Sequence, residues 1–406
     1  MNLSIRERIL LNIVIILGLF FSVTNLIPIS VLPFIVFSLL APFIFVTSLK
    51  IPKVSFWTAV FFTISIINIL VYSPNSFIDP SFYRWDGNFF VSFLPLLFLP
   101  LLPENNSNIK KIITIFVIFA ILSNLIFVIY QTFFGFTVTG LFLATNAFGG
   151  FMMIVLSFAF SNFFYSRKNT FNLIILGLAV MLLLMSYSRG SILAIAAAII
   201  CVFFNRRGNF FITRFALLFI VLTQAIILYF TYPVYEASPF DAYAFAISGD
   251  EDTKVSNIFI RVYENWPRGL HMFLHSPIFG TGLGSANDLP HILEQNSYIQ
   301  FNQNSIRIYN SSHAHHTFLH VMGEMGIIGL IILIMLLKSI YFEIIHTRYD
   351  MSISVGLEIA FFALIFASFT EHRLFSPSNV FPFILIFLLN YKNFNMTYKN
   401  EIESPR

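Results

Sequence analysis

The stretch KKIITIFVIFAILSNLIFVIYQTFF, residues 110–134, decides the fold. After Lys110 and Lys111 no charged residue appears before Phe134. Roughly 20 apolar residues suffice for a helix to cross the hydrocarbon of a bilayer. Helix is the required form, because a segment in hydrocarbon must satisfy its own backbone N–H and C=O groups. No period-two alternation suggests a barrel. Working outward, comparable runs fall at 9–25, 30–49, 54–73, 88–102, 141–163, 171–187, 190–205, 212–232, 316–337, 353–370 and 378–391. The pattern predicts an all-α, polytopic integral membrane protein with about twelve transmembrane helices. Four regions follow: an N-terminal bundle over 1–231, a large extracytoplasmic loop with short helices over 232–312, C-terminal helices over 313–392 and a cytoplasmic tail over 393–406.

Composition agrees. The chain of 406 residues is 57% hydrophobic and only 10% charged, with a mean hydropathy of +0.82. That excludes a water-soluble domain. A net charge of +4 without a basic tract gives no reason to expect nucleic acid. The single cysteine, Cys201, lies inside an apolar run, so no intramolecular disulfide is possible. Arg6 and Arg8 precede the first apolar run as in a secretory signal, but no small-residue cleavage site follows, and the run reads as an uncleaved span.

With the N-terminus inside, the loops sort the 23 basic residues strongly. Only Arg84, Arg189, Lys254, Arg261, Arg268, Arg307 and Arg373 fall outside, as the positive-inside rule demands. The outer set is almost all arginine, whereas the inner set mixes Lys and Arg evenly. Orientation gives no reason for that preference. A phosphate-bearing ligand does, since a guanidinium grips phosphate with a planar fork and stays protonated.

Ser312-His313-Ala314-His315-His316-Thr317-Phe318-Leu319-His320 stands at the expected outer mouth of the 316–337 span, followed by Gly323-Glu324-Met325-Gly326-Ile327-Ile328-Gly329. Titratable groups beside hydrocarbon are costly and mark cavities or substrate sites. His313, His315, His316 and His320 could together ligate a metal, since His316 and His320 stand at i and i+4 on a helix, but no nearby carboxylate or cysteine in the sequence completes a set, so no metal and no cofactor is expected. In the large loop, Arg261 to Leu274 reads as helical. His275 to Ser285 reads as a Gly- and Pro-rich turn whose amides could approach an anion. Asp250-Glu251-Asp252 reads as a solvated loop tip. Trp85, Tyr263, Trp266, Tyr298 and Tyr309 are able to stack on sugar rings or to sit in the interfacial aromatic belt.

Over residues 180–330 the chain resembles the polytopic O-antigen polymerases and O-antigen ligases. The resemblance rests on three pieces: the turn Ser186-Tyr187-Ser188-Arg189-Gly190-Ser191; Arg261, Trp266 and the stretch His275 to Gly284, with Ser276 inserted before the proline; and His315 with Glu324, Gly326 and Gly329. One departure is His316, where the family usually carries Asn, so either His315 or His316 could be the functional imidazole, and spacing to Glu324 favours His315. The resemblance implies a metal-independent glycosyltransferase of the bacterial inner membrane. Its substrate would be an oligosaccharide on undecaprenyl pyrophosphate at the periplasmic face, and a chain-length regulator and a flippase would be partners.

Such chemistry suits these residues. Arg189 and Arg261 would stabilise the departing diphosphate, and an imidazole would take the proton of the attacking hydroxyl. Arg268, Arg307, Arg373, Trp266, His316 and Glu324 are candidate substrate-binding residues. Glu324 is expected behind His315 rather than beside it, since nine helical residues turn about 900° and climb about 13 Å. Polymerase and ligase would share the donor site. A transporter is the alternative from another class, and the sparse ionisable groups within the spans, chiefly Glu324 and Glu358, speak against it.

Overall fold

The structure is a computed structural model that describes residues 5–24, 51–79, 82–83, 86–101, 109–165, 169–206, 222, 261, 265–285, 314–346 and 350–403. Among them all regular structure is helical. The α-helices are α1 (Ile5–Phe21), α2 (Lys53–Tyr72), α3 (Gly87–Phe93), α4 (Ile109–Phe133), α5 (Thr145–Tyr165), α6 (Thr170–Met185), α7 (Arg189–Arg206), α8 (Trp266–His275), α9 (Thr317–His346), α10 (Met351–Ala367) and α11 (Pro377–Glu403). Helices α2, α4, α5, α7 and α9 are long and apolar enough to cross a membrane. Two expected spans, 30–49 and 212–232, lie outside the described residues apart from Leu222. The expected span 88–102 is not one α-helix: α3 passes at Leu94 into a 3-10 segment ending at Leu101. Pro95 and Pro100 explain this, since each lacks the N–H that an α-helix interior needs.

Burial sorts the helices into an inner and an outer set. Helix α10 is buried from Ser352 to Ile365 and packs between α5 and α7. Its Gly356 lies so close to Phe158 of α5 that an added Cβ would meet that ring at 2.5 Å. Helices α2, α4 and α6 instead turn large side chains outward, among them Phe56, Ile67, Leu70, Phe119, Ile126, Ile129, Ile174 and Leu184. Apolar faces of that extent are what lipid covers. The molecule is a polytopic membrane protein.

At one end of the bundle, α7, α9 and α10 are joined by Glu358. Its carboxylate accepts from Arg206 Nε at 2.9 Å, Asn205 Nδ2 at 2.7 Å and Tyr341 OH at 3.2 Å. Lys110, which opens the run quoted first, pairs with Asp350 at 3.2 Å, and Asp350 caps α10 through the Ser352 amide. The opposite end holds the turns 186–188, 277–285, 314–316 and 368–376.

Helix α9 is broken. Gly326 has φ 65° and ψ −166°, which leaves the Gly323 and Glu324 carbonyls and the Ile327 and Ile328 amides without helical partners. The 277–285 turn supplies them. Thr281 N donates to Gly323 O at 3.2 Å and Gly282 N to Glu324 O at 2.9 Å, while Ile327 N donates to Pro277 O at 2.9 Å and Ile328 N to Ile278 O at 3.4 Å. A Cβ on Gly280 would collide with the Glu324 backbone, and one on Gly326 with Ile278 O. These glycines exist to bring two backbones into contact. The expectation that the turn's amides face an anion is therefore corrected, since those of Gly280, Thr281, Gly282 and Leu283 all bind protein acceptors.

Candidate functional site

The centre of the site is a residue the sequence reading passed over. Glu371 lies in the short turn between α10 and α11. One carboxylate oxygen accepts from Arg261 Nη2 and, at 3.1 Å, from Asn146 Nδ2; the other meets His315 Nδ1 at 3.2 Å. The turn is anchored to the start of α9, because Thr317 N donates to Ser368 O at 2.9 Å and Thr317 Oγ1 to Glu371 O at 3.3 Å. Burial by itself would push the Glu371 carboxyl up. The bond from His315 and the positive charges of Arg373 and Arg261 outweigh it and hold the group below its ordinary 4.5. An ionised carboxylate therefore joins an imidazole to a guanidinium, and the His315 side chain stays 30% exposed, accessible to a ligand.

The two neighbouring imidazoles differ sharply. His315 adopts φ 46°, a conformation unusual for a residue with a Cβ. His316 is fully buried and stands just before α9, where its Nδ1 accepts from Leu319 N at 3.1 Å as a helix N-cap. It sits edge-on to Trp266 at 6.1 Å and to Phe369 at 5.5 Å. Burial lowers its pKa to about 3, so it is neutral. The structure thus offers one accessible imidazole and one buried cap.

The serine-rich turn is built around Arg373. Tyr187 takes φ 52°, and Ser188 N donates to Ser186 Oγ at 3.2 Å. Ser188 and Ser191 place their hydroxyls 2.9 Å apart. Arg373, 3% exposed, reaches both with Nη2, at 3.3 Å and 3.2 Å, while Nη1 donates to the Asn146 carbonyl. Arg189, at the first position of α7, is exposed and makes no hydrogen bond or ion pair with the described residues. Its neighbour Gly190 lies against the Glu371 turn, where an added Cβ would be 3.0 Å from Thr370 Oγ1. Left-handed backbone at both Tyr187 and His315 is the sort of local strain that recurs where a site fixes side-chain direction.

Of the remaining candidates, Trp266 opens α8 and borders His316. Arg268 belongs to α8, its side chain not among those described, and Arg307 lies outside the described residues, as do Trp85, Tyr263, Tyr298, Tyr309 and the 250–252 acidic run. Glu324 is fully buried and faces away from His315 toward His320, whose Nε2 is 3.1 Å from its Oε2. His320 Nε2 also meets Asp86 Oδ1 at 2.6 Å, and His372 Nε2 lies 3.8 Å from the same oxygen. The His316/His320 pair suggested by spacing is not formed. The sequence expectation that no carboxylate joins the histidines is also corrected, because Asp86 arrives from a distant segment.

Helical spans, an outward apolar belt and an imidazole–carboxylate–guanidinium cluster at one end of the bundle define a polytopic membrane protein with an enzyme-like polar site. Residues 173–334 match the family described as O-antigen ligase, which includes O-antigen polymerases as well as ligases. Over that segment the chain is similar to membrane proteins of the O-antigen ligase and polymerase type, a family associated with surface-polysaccharide biosynthesis. Among curated proteins none matches the chain. The matched segment includes Arg189, Arg261 and His315, whereas Asn146, Glu371 and Arg373 lie beyond it.

Proposed function

We propose that the protein polymerises oligosaccharide repeat units carried on undecaprenyl pyrophosphate at the outer face of the bacterial inner membrane. In this reading about twelve spans keep both termini in the cytoplasm and open the site to the periplasm. The observation that carries it is the Glu371 carboxylate shared by His315 and Arg261.

With its Nδ1 proton directed at Glu371, His315 has Nε2 as its basic nitrogen, as in other carboxylate-oriented imidazoles. The attacking sugar hydroxyl gives its proton to Nε2 as its oxygen bonds to the anomeric carbon of the donor. The bond from that carbon to the phosphate oxygen breaks, and the diphosphate leaves with the electron pair. Arg189 and Arg261 stabilise the charge that develops there, each charge-assisted hydrogen bond contributing about 1.5 to 3 kcal/mol. No metal takes part in this transfer. Arg373 and His316 support the site from behind, while Trp266, Arg268 and Arg307 are the residues expected to bind substrate. A chain-length regulator and a flippase are the expected partners.

A second reading transfers finished glycan to a lipid A core, and the description of the matched family as O-antigen ligase favours it. The donor chemistry is the same. The glycolipid profile of a deletion strain tests the choice: single-repeat lipid-linked glycan accumulates if the protein is a polymerase, long undecaprenyl-linked chains if it is a ligase. Unchanged glycolipids would contradict both.

A further inference from the structure

Asp86, His320, Glu324 and His372 form a second polar cluster, separate from the groups assigned to glycosyl transfer. Asp86 immediately precedes α3, His320 and Glu324 lie on successive turns of the N-terminal half of α9, and His372 follows Glu371 in the turn before α11. All four are buried, from 0% exposed for Glu324 to 7% for His372. Donor atoms of Asp86, His320 and His372 lie within 4.8 Å of one another. The surroundings are apolar: His372 stacks on Phe375 at 4.1 Å, His320 meets the same ring edge-on at 5.8 Å, and Phe89 lies against it at 4.9 Å.

Proton counting makes the cluster unusual. His320 Nε2 carries at most one hydrogen, yet it faces Asp86 Oδ1 at 2.6 Å and Glu324 Oε2 at 3.1 Å. One N–H cannot point linearly at both. Two carboxylates in an apolar enclosure also need compensating positive charge. A divalent cation meets both requirements at once, because every convergent lone pair becomes a ligand.

We propose that Asp86, His320, Glu324 and His372 are the ligands of a structural zinc-type site, two imidazole nitrogens and two carboxylate oxygens around one divalent transition-metal ion. Zinc takes such nitrogen and oxygen donors in tetrahedral geometry at about 2.0 to 2.2 Å, which separates the ligands by about 3.3 Å. The separations of 2.6, 3.1 and 3.8 Å straddle that value; Asp86, His320 and His372 already converge within 4.8 Å, and rotation of the Glu324 side chain from its place beside His320 completes the shell. Four protein ligands would close the coordination sphere, as a structural site requires. The ion ties α3, α9 and the 368–376 turn together. Because His372 is covalently adjacent to Glu371, it also fixes the carboxylate that meets His315.

The test uses full-length protein purified in detergent with a histidine-free tag, stripped with chelator, dialysed and titrated with Co²⁺. The expected result is one equivalent bound, with the intense visible absorption of four-coordinate cobalt, displaced by Zn²⁺, and a higher thermal midpoint on metal addition. His320→Gln and His372→Gln abolish that equivalent, whereas His346→Gln, altering an exposed histidine, retains it. Failure of the wild-type protein to bind a stoichiometric ion overturns the site. So does binding that survives both glutamine substitutions together. Should those variants not fold, X-ray absorption at the zinc edge of wild-type protein decides: two imidazoles and two oxygens support the assignment, and any other shell refutes it. Metal binding is read without glycosyl transfer, so the site stands or falls independently of the proposed activity.

Discussion

Glu371 meets His315 Nδ1 at 3.2 Å although the two residues lie on opposite sides of the α9–α10 hairpin. The contact sets the direction of an imidazole in a strained backbone position, and the other carboxylate oxygen holds Arg261. In the proposed transfer this group orients the base and anchors a guanidinium, with consequences for rate rather than for folding alone.

Glu371→Gln preserves shape but loses the charge that favours the Nδ1–H tautomer of His315. Transfer falls by about 10²-fold or more, within the range that positioned acid–base groups contribute. Measured on purified protein with lipid-linked substrate, the loss appears chiefly in kcat. A variant at wild-type rate would remove Glu371 from the account.

Arg189→Lys and Arg261→Lys keep the positive charge and lose the planar fork. Each is expected to reduce transfer at least tenfold. For Arg261→Lys a further weakening comes from the altered grip on Glu371. Full-length polymer at normal yield in both lysine variants would eliminate the phosphate clamp.

Acid stability reports on His316. Its pKa falls from 6.5 in the unfolded chain to about 3 when buried, so between those values the unfolded state binds more protons. Stability attributable to this group is complete above 6.5 and is lost as pH falls toward 3. His316→Asn, the residue usual in the resembling family, retains a capping side chain and removes the titration. The thermal midpoint of wild type should drop more steeply than that of His316→Asn across this window; parallel curves would mean that His316 is protonated in the folded state.

Backbone contact at the α9 break gives a contrast among glycines. Gly326→Ala and Gly280→Ala place a Cβ on Ile278 O and on the Glu324 backbone in left-handed conformations, costing about 1 to 3 kcal/mol or more each. Gly177→Ala, on α6 with open space around it, is expected to be neutral or mildly stabilising. Thermal unfolding in one detergent ranks the three. A Gly326→Ala protein as stable as Gly177→Ala would show that the break is not needed.

The helices were legible because each apolar run carries its own requirement to be a helix, as residues 110–134 do. Arg261 and His315 were legible as polar groups at a membrane mouth, and their spacing to other landmarks carried the resemblance. Glu371 was not, since its partnership with His315 depends on how α9 and α10 pack. Thr370-Glu371-His372-Arg373 did contain a signal: three adjacent ionisable residues between two apolar runs, in a chain only 10% charged. The structure sends those three side chains to separate clusters. Asp86 was beyond reach of any local pattern, lying 234 residues from His320. The 277–285 turn was misjudged for a related reason. Its amides looked available only while the α9 break that consumes them was out of view.

The most direct test of the account is single-turnover glycosyl transfer from a lipid-linked donor by wild type, His315→Ala and His316→Asn, with thermal midpoints recorded on the same samples. The account predicts that His315→Ala folds normally and loses transfer by about 10² to 10⁴-fold, while His316→Asn keeps most of its rate. Transfer that persists in His315→Ala and vanishes in His316→Asn would contradict it.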